Sequence, residues 1–270
     1  MAVLATGGTI ATRSHGSGAA VARVSGRELA ADPPPPGVAV EAEDVFRVGS
    51  YAMTPEHLQK LAVRVGECLG DDVTGVGITH GTDTTEETAM FLDGSRPIVL
   101  TGAQRPADAP DSDGPRNLAD AIAVAAHPAA RGLGTLLVFD GVALPARGAP
   151  KSHTLASAAF SAATGPLGWV RGGALHVEAG PRRRPGPALR SVDLNRVRVD
   201  ISVCYPGADG TALRAFAAAG AHGIVLQATG AGNANPAICD TVAELTGHDD
   251  VEAVRAAFTG YVNPANPPCD

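Results

Sequence analysis

The sequence predicts an α/β fold in two parts. A larger N-terminal domain carries a doubly wound, mostly parallel sheet, and a smaller C-terminal domain is also α/β. Three observations predict it. Short, continuously apolar runs recur along the 270 residues. Ala-rich stretches of helical length separate them. A segment dense in Pro, Gly and Arg then interrupts the rhythm before it resumes. A strand covered by helices on both faces reads as an unbroken apolar run. The βαβ alternation places ligands at the carboxyl ends of the strands.

The expected strands are residues 3–5, 73–79, 97–101, 135–139, 197–204 and 223–228. The expected helices are residues 55–69, 86–92, 115–126, 212–219 and 237–245. Pro33 to Pro36 cannot join a helix or a central strand, so they predict an extended surface loop. Residues 178–194 include Pro181, Pro185, Gly186 and Pro187 and read as an inter-domain linker. The expected limits are 1–180 for the first domain, 181–196 for the linker and 197–270 for the second domain.

Composition narrows the function classes. Hydrophobic residues are 44% and charged residues 18% of the chain, which fits a folded globular protein. A net charge of −7 disfavours nucleic acid and anionic membrane surfaces as partners. The basic run Arg182 to Arg184, set between Pro181 and Pro185, reads as solvated linker. No run is long and apolar enough to span a bilayer. The chain opens almost directly in a strand, so no signal peptide is expected and the cytoplasm is the expected location. Cys68, Cys204, Cys239 and Cys269 lack metal-ligand spacing. No metal and no cofactor are expected.

Two motifs carry the chemistry. The first, Ala5-Thr6-Gly7-Gly8-Thr9-Ile10-Ala11, follows the opening strand. Its glycines allow a sharp turn and a close approach by a ligand, leaving the Thr9 hydroxyl at the strand end. A phosphate loop is opposed by the glycine spacing and the missing lysine. The second motif runs from Thr79 to Thr88 and holds His80, Gly81, Thr82, Asp83, Thr84, Thr85, Glu86 and Glu87. Thr84 with Glu87 predicts a capping box and a helix start. Thr82 and Asp83 then lie between a strand end and a helix N-terminus, where backbone N–H groups favour a substrate carboxylate or a developing oxyanion. The bland alternative makes Asp83 and these threonines capping residues only. Threonines at 82, 84, 85 and 88 are more hydroxyl than capping needs.

These two motifs resemble the signatures of the bacterial-type L-asparaginase family. Further matches follow in order: Gly49-Ser50 before Met53-Thr54-Pro55, then Gly102 to Pro106. Asp113-Gly114-Pro115-Arg116-Asn117-Leu118 comes next, and Gly230, Gly232, Asn233 and Asn235 complete the set. The resemblance covers residues 2 to about 247. It implies hydrolysis of the side-chain amide of L-asparagine, with L-glutamine as a possible second substrate. It makes Thr9 the nucleophile and groups Thr82 with Asp83 and Lys151 as catalytic residues. Asp83 binds the substrate amino group, and Ser50, Gly49 and Thr82 also bind substrate. Asn235 corresponds to a position that reaches a neighbouring subunit's site. A homotetramer built as a dimer of dimers is implied too.

Composition singles out Lys151 independently. Lys60 and Lys151 are the only lysines among 21 basic residues. A lysine retained where arginine otherwise serves points to an amine that must give up its proton, which a guanidinium does not do.

The chain departs from the family pattern twice. The loop from Arg13 to Val24 lacks the tyrosine that assists the first threonine, and Tyr51 stands in a different place. After His248 the family continues through two more strands and a glutamate that completes a neighbour's site. Here Asp249 to Phe258, which resembles the family's last helix, follows at once. The expected cause is a stretch left out of the sequence as written, and an intact mass near 27.1 kDa refutes that. A two-stranded small domain would expose sheet edge and lose core. Two rivals remain: an asparaginase-like amidase of a tRNA-dependent amidotransferase, and a degenerate amino-acid-binding module.

Overall fold

The computed structural model describes residues 1–13, 21–32, 34–70, 73–92, 96–180 and 193–247. The strands are β1 (Ala2–Gly7), β2 (Thr12–Arg13), β3 (Val21–Ala22), β4 (Glu41–Val48), β5 (Val76–Thr79), β6 (Ile98–Thr101), β7 (Thr135–Phe139), β8 (Val142–Pro145), β9 (Gly168–Arg171), β10 (Ala174–Val177), β11 (Val199–Val203) and β12 (Gly223–Gln227). The helices are α1 (Gly26–Leu29), α2 (Pro55–Cys68), α3 (Thr85–Phe91), α4 (Gly114–Ala126), α5 (Thr211–Ala218) and α6 (Pro236–Thr246). The chain divides into two compact units, Met1–Val192 and Asp193–Asp270.

The first unit is built on one eight-stranded sheet in the order β10-β9-β8-β7-β6-β5-β1-β4. From β4 to β7 every pairing is parallel, and from β7 to β10 every pairing is antiparallel. Every residue of β5, β6 and β7 is buried, so both faces of these strands are covered. That is why they read as unbroken apolar runs. Helix α4 packs its Leu118, Ala121, Ile122 and Val124 over the sheet, against Val3 and Ile10 on one side and Val99, Leu136 and Val138 on the other. Each fully buried branched side chain contributes about 1.5–3 kcal/mol.

The parallel register sets the site. Ala5 of β1 lies opposite Thr79 of β5, and Thr79 opposite Thr101 of β6. The segments after these residues therefore emerge side by side at the carboxyl edge.

Six strands lie outside the expected set: β2 and β3, which pair with each other, and four strands of the eight-stranded sheet. Strand β4 is an edge strand with only Val45 buried, so its sequence alternates and is not an apolar run. Strands β8, β9 and β10 form the antiparallel extension, each four residues long. The expected strand at 73–79 begins only at Val76. The predicted capping box is absent, because the Thr84 hydroxyl donates to the Ser50 carbonyl (2.9 Å) and no side chain caps α3. The linker tract 181–192, Pro33, residues 14–20 of the first loop, the helical stretch 249–258 and Cys269 lie outside the described residues.

The second unit pairs β11 with β12 in parallel, and α5 and α6 pack on them. Its buried core is Ala208, Leu213, Ile238 and Val242. Val199, Ile201 and Val203 on β11 and Val225 on β12 are exposed, Ile201 to 63%.

Candidate active site

Three glycine-bearing turns meet at the carboxyl edge of the first unit's sheet. Gly7 and Gly8 both hold positive φ, 103° and 79°. A methyl on Gly8 would meet the Gly81 nitrogen at 2.4 Å and Cα at 2.5 Å. A methyl on Gly81 would in turn meet Ser50 Oγ at 2.6 Å. No side chain fits between these turns, so the Thr9, Ser50 and Thr82 segments close into one cluster.

Thr9 opens a short 3-10 turn, Thr9–Ala11, directly after Gly8. The turn is pinned by Thr12, whose hydroxyl donates to the Gly8 carbonyl at 2.8 Å. Below it, the buried Thr6 hydroxyl donates to the Thr79 carbonyl at 2.8 Å and ties β1 to β5.

Thr82 and Asp83 begin a 3-10 turn, Thr82–Thr84, that leads into α3. Lys151 Nζ donates to Thr82 Oγ1 at 2.8 Å and to Asp83 Oδ1 at 2.9 Å. The Lys151 side chain is only 18% exposed and the Asp83 side chain 55%. The lysine thus approaches from beneath, while the carboxylate opens toward solvent. The Lys151 backbone N–H donates to Glu86 Oε2, which anchors the lysine's loop to α3. Thr82 Oγ1 also donates to Gln104 Oε1 at 3.3 Å.

Buried Ser50 accepts the Asp83 backbone N–H at its Oγ (3.1 Å). Gly49 lies under the Tyr51 ring, which is 82% exposed.

His80 sits behind this turn, fully buried. Its Nδ1 donates to the Gly81 carbonyl at 2.7 Å, and Nε2 lies 3.0 Å from Thr88 Oγ1. Burial pushes the ring down to about 4, against a smaller opposing effect of the Gly81 carbonyl, so it is neutral at pH 7.

The structure unites Thr82, Asp83, Lys151 and Ser50 by hydrogen bonds and sets Thr9 beside them through Gly8 and Gly81. Asn235 belongs to the second unit. There its Oδ1 caps α6 by accepting the Ile238 N–H (3.1 Å), and its Nδ2 donates to the Ala208 carbonyl (2.8 Å). Sequence reasoning missed Glu86 and gave no role to Gln104, although both lie inside the quoted motifs. Among the described residues no group of three or more His, Cys, Asp or Glu could hold a metal ion. No helix among them is long and apolar enough to cross a membrane.

Comparison with known proteins identifies the family. Residues 1–183 match the family model described as Asparaginase, N-terminal, and residues 198–266 match Glutaminase/Asparaginase C-terminal domain. The chain belongs to the asparaginase family. It is 39% identical to a probable L-asparaginase of Deinococcus radiodurans, over 90% of this chain and 76% of that protein. It is 36% identical to a glutaminase-asparaginase of Pseudomonas aeruginosa, covering 94% and 74%. The crystal structure of a probable cytoplasmic L-asparaginase from Campylobacter jejuni superimposes with a TM-score of 0.81 at 31% identity. That match covers 91% of this chain and 79% of the other.

Proposed function

We propose that this chain hydrolyses the side-chain amide of L-asparagine to aspartate and ammonia, through an acyl-enzyme on Thr9. The observation that carries the reading is the Lys151–Thr82–Asp83 cluster, drawn against the Thr9 turn by the Gly8–Gly81 approach. The named activities of the Deinococcus radiodurans and Pseudomonas aeruginosa relatives support the same reading and suggest glutamine as a second substrate.

In this reading the Asp83 carboxylate takes the substrate α-ammonium group. Ser50 accepts the Asp83 N–H and donates its own O–H to the α-carboxylate, with Gly49 beside it. The Thr9 oxygen attacks the amide carbon, and backbone N–H groups near Thr82 steady the oxyanion. The amide C–N bond breaks, and nitrogen leaves as ammonia with the proton that the Thr9 hydroxyl gave up. Water then attacks the Thr9 ester and returns the Thr9 hydroxyl with aspartate. Once Asp83 has turned to the substrate, Lys151 in its amine form takes the Thr9 hydroxyl proton through Thr82 and returns it by the same route to the leaving nitrogen. No metal or cofactor takes part. Asn235 contributes through the second unit of a neighbouring copy in a homotetramer. The domain limits are 1–180 and 197–270, joined by 181–196. The location is the cytoplasm, as named for the Campylobacter jejuni structure.

The test is ammonia release from asparagine and from glutamine, with Thr9→Ala and Thr82→Val as controls. Both variants are expected to lose at least about a hundredfold in kcat. Wild-type turnover by Thr9→Ala would end the nucleophile assignment. Asparagine binding without ammonia would favour a binding module.

A further inference from the structure

We infer that Gln104 is a positioning residue that fixes the direction of the Thr82 hydroxyl relative to Lys151, an inference that rests on the reading above. An amide side chain has one acceptor oxygen and one NH2 group with two donor hydrogens. Gln104 Nε2 donates to the Thr154 and Ala156 carbonyls, both at 3.0 Å. Those carbonyls only accept, so the nitrogen must face them and Oε1 must face Thr82. Oε1 cannot donate, and the Thr82 hydroxyl therefore donates to it at 3.3 Å. The remaining electron pairs of Thr82 Oγ1 meet Lys151 Nζ at 2.8 Å. The chain of donors has one sense: Lys151 to Thr82 to Gln104.

The amide is itself held in place. The Gln104 backbone N–H donates to the Asp113 carboxylate, at 3.1 Å to Oδ1 and 3.0 Å to Oδ2. The carbonyls it grips lie three and five residues after Lys151. Gln104 thus ties the end of β6 to the loop that carries the lysine, and it determines where the Thr82 proton waits. Once Asp83 has turned to the substrate and Lys151 is in its amine form, transfer requires only that the Thr82 hydroxyl rotate from Gln104 to Nζ.

The experiment is Gln104→Met, which keeps length and removes all three hydrogen-bonding functions. Expected are a fall in kcat for asparagine of about tenfold, KM within about twofold, and no further loss when Gln104→Met is added to Lys151→Met. An unchanged kcat overturns the inference, as does a KM rise with kcat intact. An equal additional loss in the Lys151→Met background also overturns it, since that is what a merely structural role would give. Gln104→Asn, whose amide falls one methylene short of its partners, gives the same split should Gln104→Met not fold; wild-type kcat in it is likewise fatal. Full ammonia release by Thr82→Val or Lys151→Met would remove the underlying reading and this inference together. Inactive Thr82→Val alongside an unaffected Gln104→Met removes the inference alone.

Discussion

At the scale of single residues, Gly8 and Lys151 are the least replaceable. Gly8 combines a positive φ of 79° with backbone atoms of Gly81 at 2.4–2.5 Å from any added methyl. Gly8→Ala therefore has to strain the backbone and push the Thr9 turn off the Thr82 turn. The expected cost is about 2–4 kcal/mol in chemical denaturation, with kcat reduced more than that loss of folded protein explains. A variant with wild-type stability and rate would mean the two turns do not need this approach. Lys151→Arg tests a different property. It keeps the charge beside Asp83, but a guanidinium does not give up or relay a proton at working pH. An expected loss of at least about a hundredfold in kcat, with asparagine binding retained by calorimetry, separates proton transfer from charge. Near-normal turnover in Lys151→Arg would reduce the lysine to an ion-pair partner.

At the scale of elements, the turn between β5 and α3 is stabilised by a histidine that must stay neutral. His80 is held to about 4, whereas an unfolded chain binds a proton near 6.5. Between about pH 6.5 and 4 the unfolded state holds the extra proton, so stability declines as pH falls through that window and levels off below it. The size is up to about 3 kcal/mol. Urea midpoints at pH 7 and pH 4.5 should fall further in the wild type than in His80→Gln, whose side chain does not titrate. Parallel declines would assign the acid sensitivity elsewhere. The elements also show what was legible in advance. Strands β5, β6 and β7 announce themselves because both faces are covered. Strand β4 does not, because an edge strand with one covered face keeps Glu41, Glu43, Asp44 and Arg47. The β9–β10 hairpin did leave a signal, Gly172-Gly173 at positive φ, but its flanking runs are too short to read as apolar strands. In the site, Lys151 stood out by its rarity and Thr82 by its motif. Glu86 and Gln104 act through partners 65, 22, 50 and 52 residues away, a separation that sequence pattern does not register.

At the scale of the whole molecule, the two units differ in how much they bury. The first rests on eight paired strands, with the site on its central parallel strands. The second, among the described residues, rests on two strands and two helices around Ala208, Leu213, Ile238 and Val242, with apolar side chains of β11 facing outward. A two-stranded sheet has little stability of its own, and regions with few buried contacts open first. Backbone amides of β11 and β12 are therefore expected to exchange hydrogen at least about a hundredfold faster than those of β5 and β6. If the protein is the proposed homotetramer, light scattering gives four times the mass of the intact chain. Protection in β11 and β12 should then rise with protein concentration, since association stabilises whatever it covers. Equal protection across both sheets at every concentration would show that the second unit is as stable as the first. The exposed valines and Ile201 would then carry no thermodynamic penalty that assembly needs to relieve.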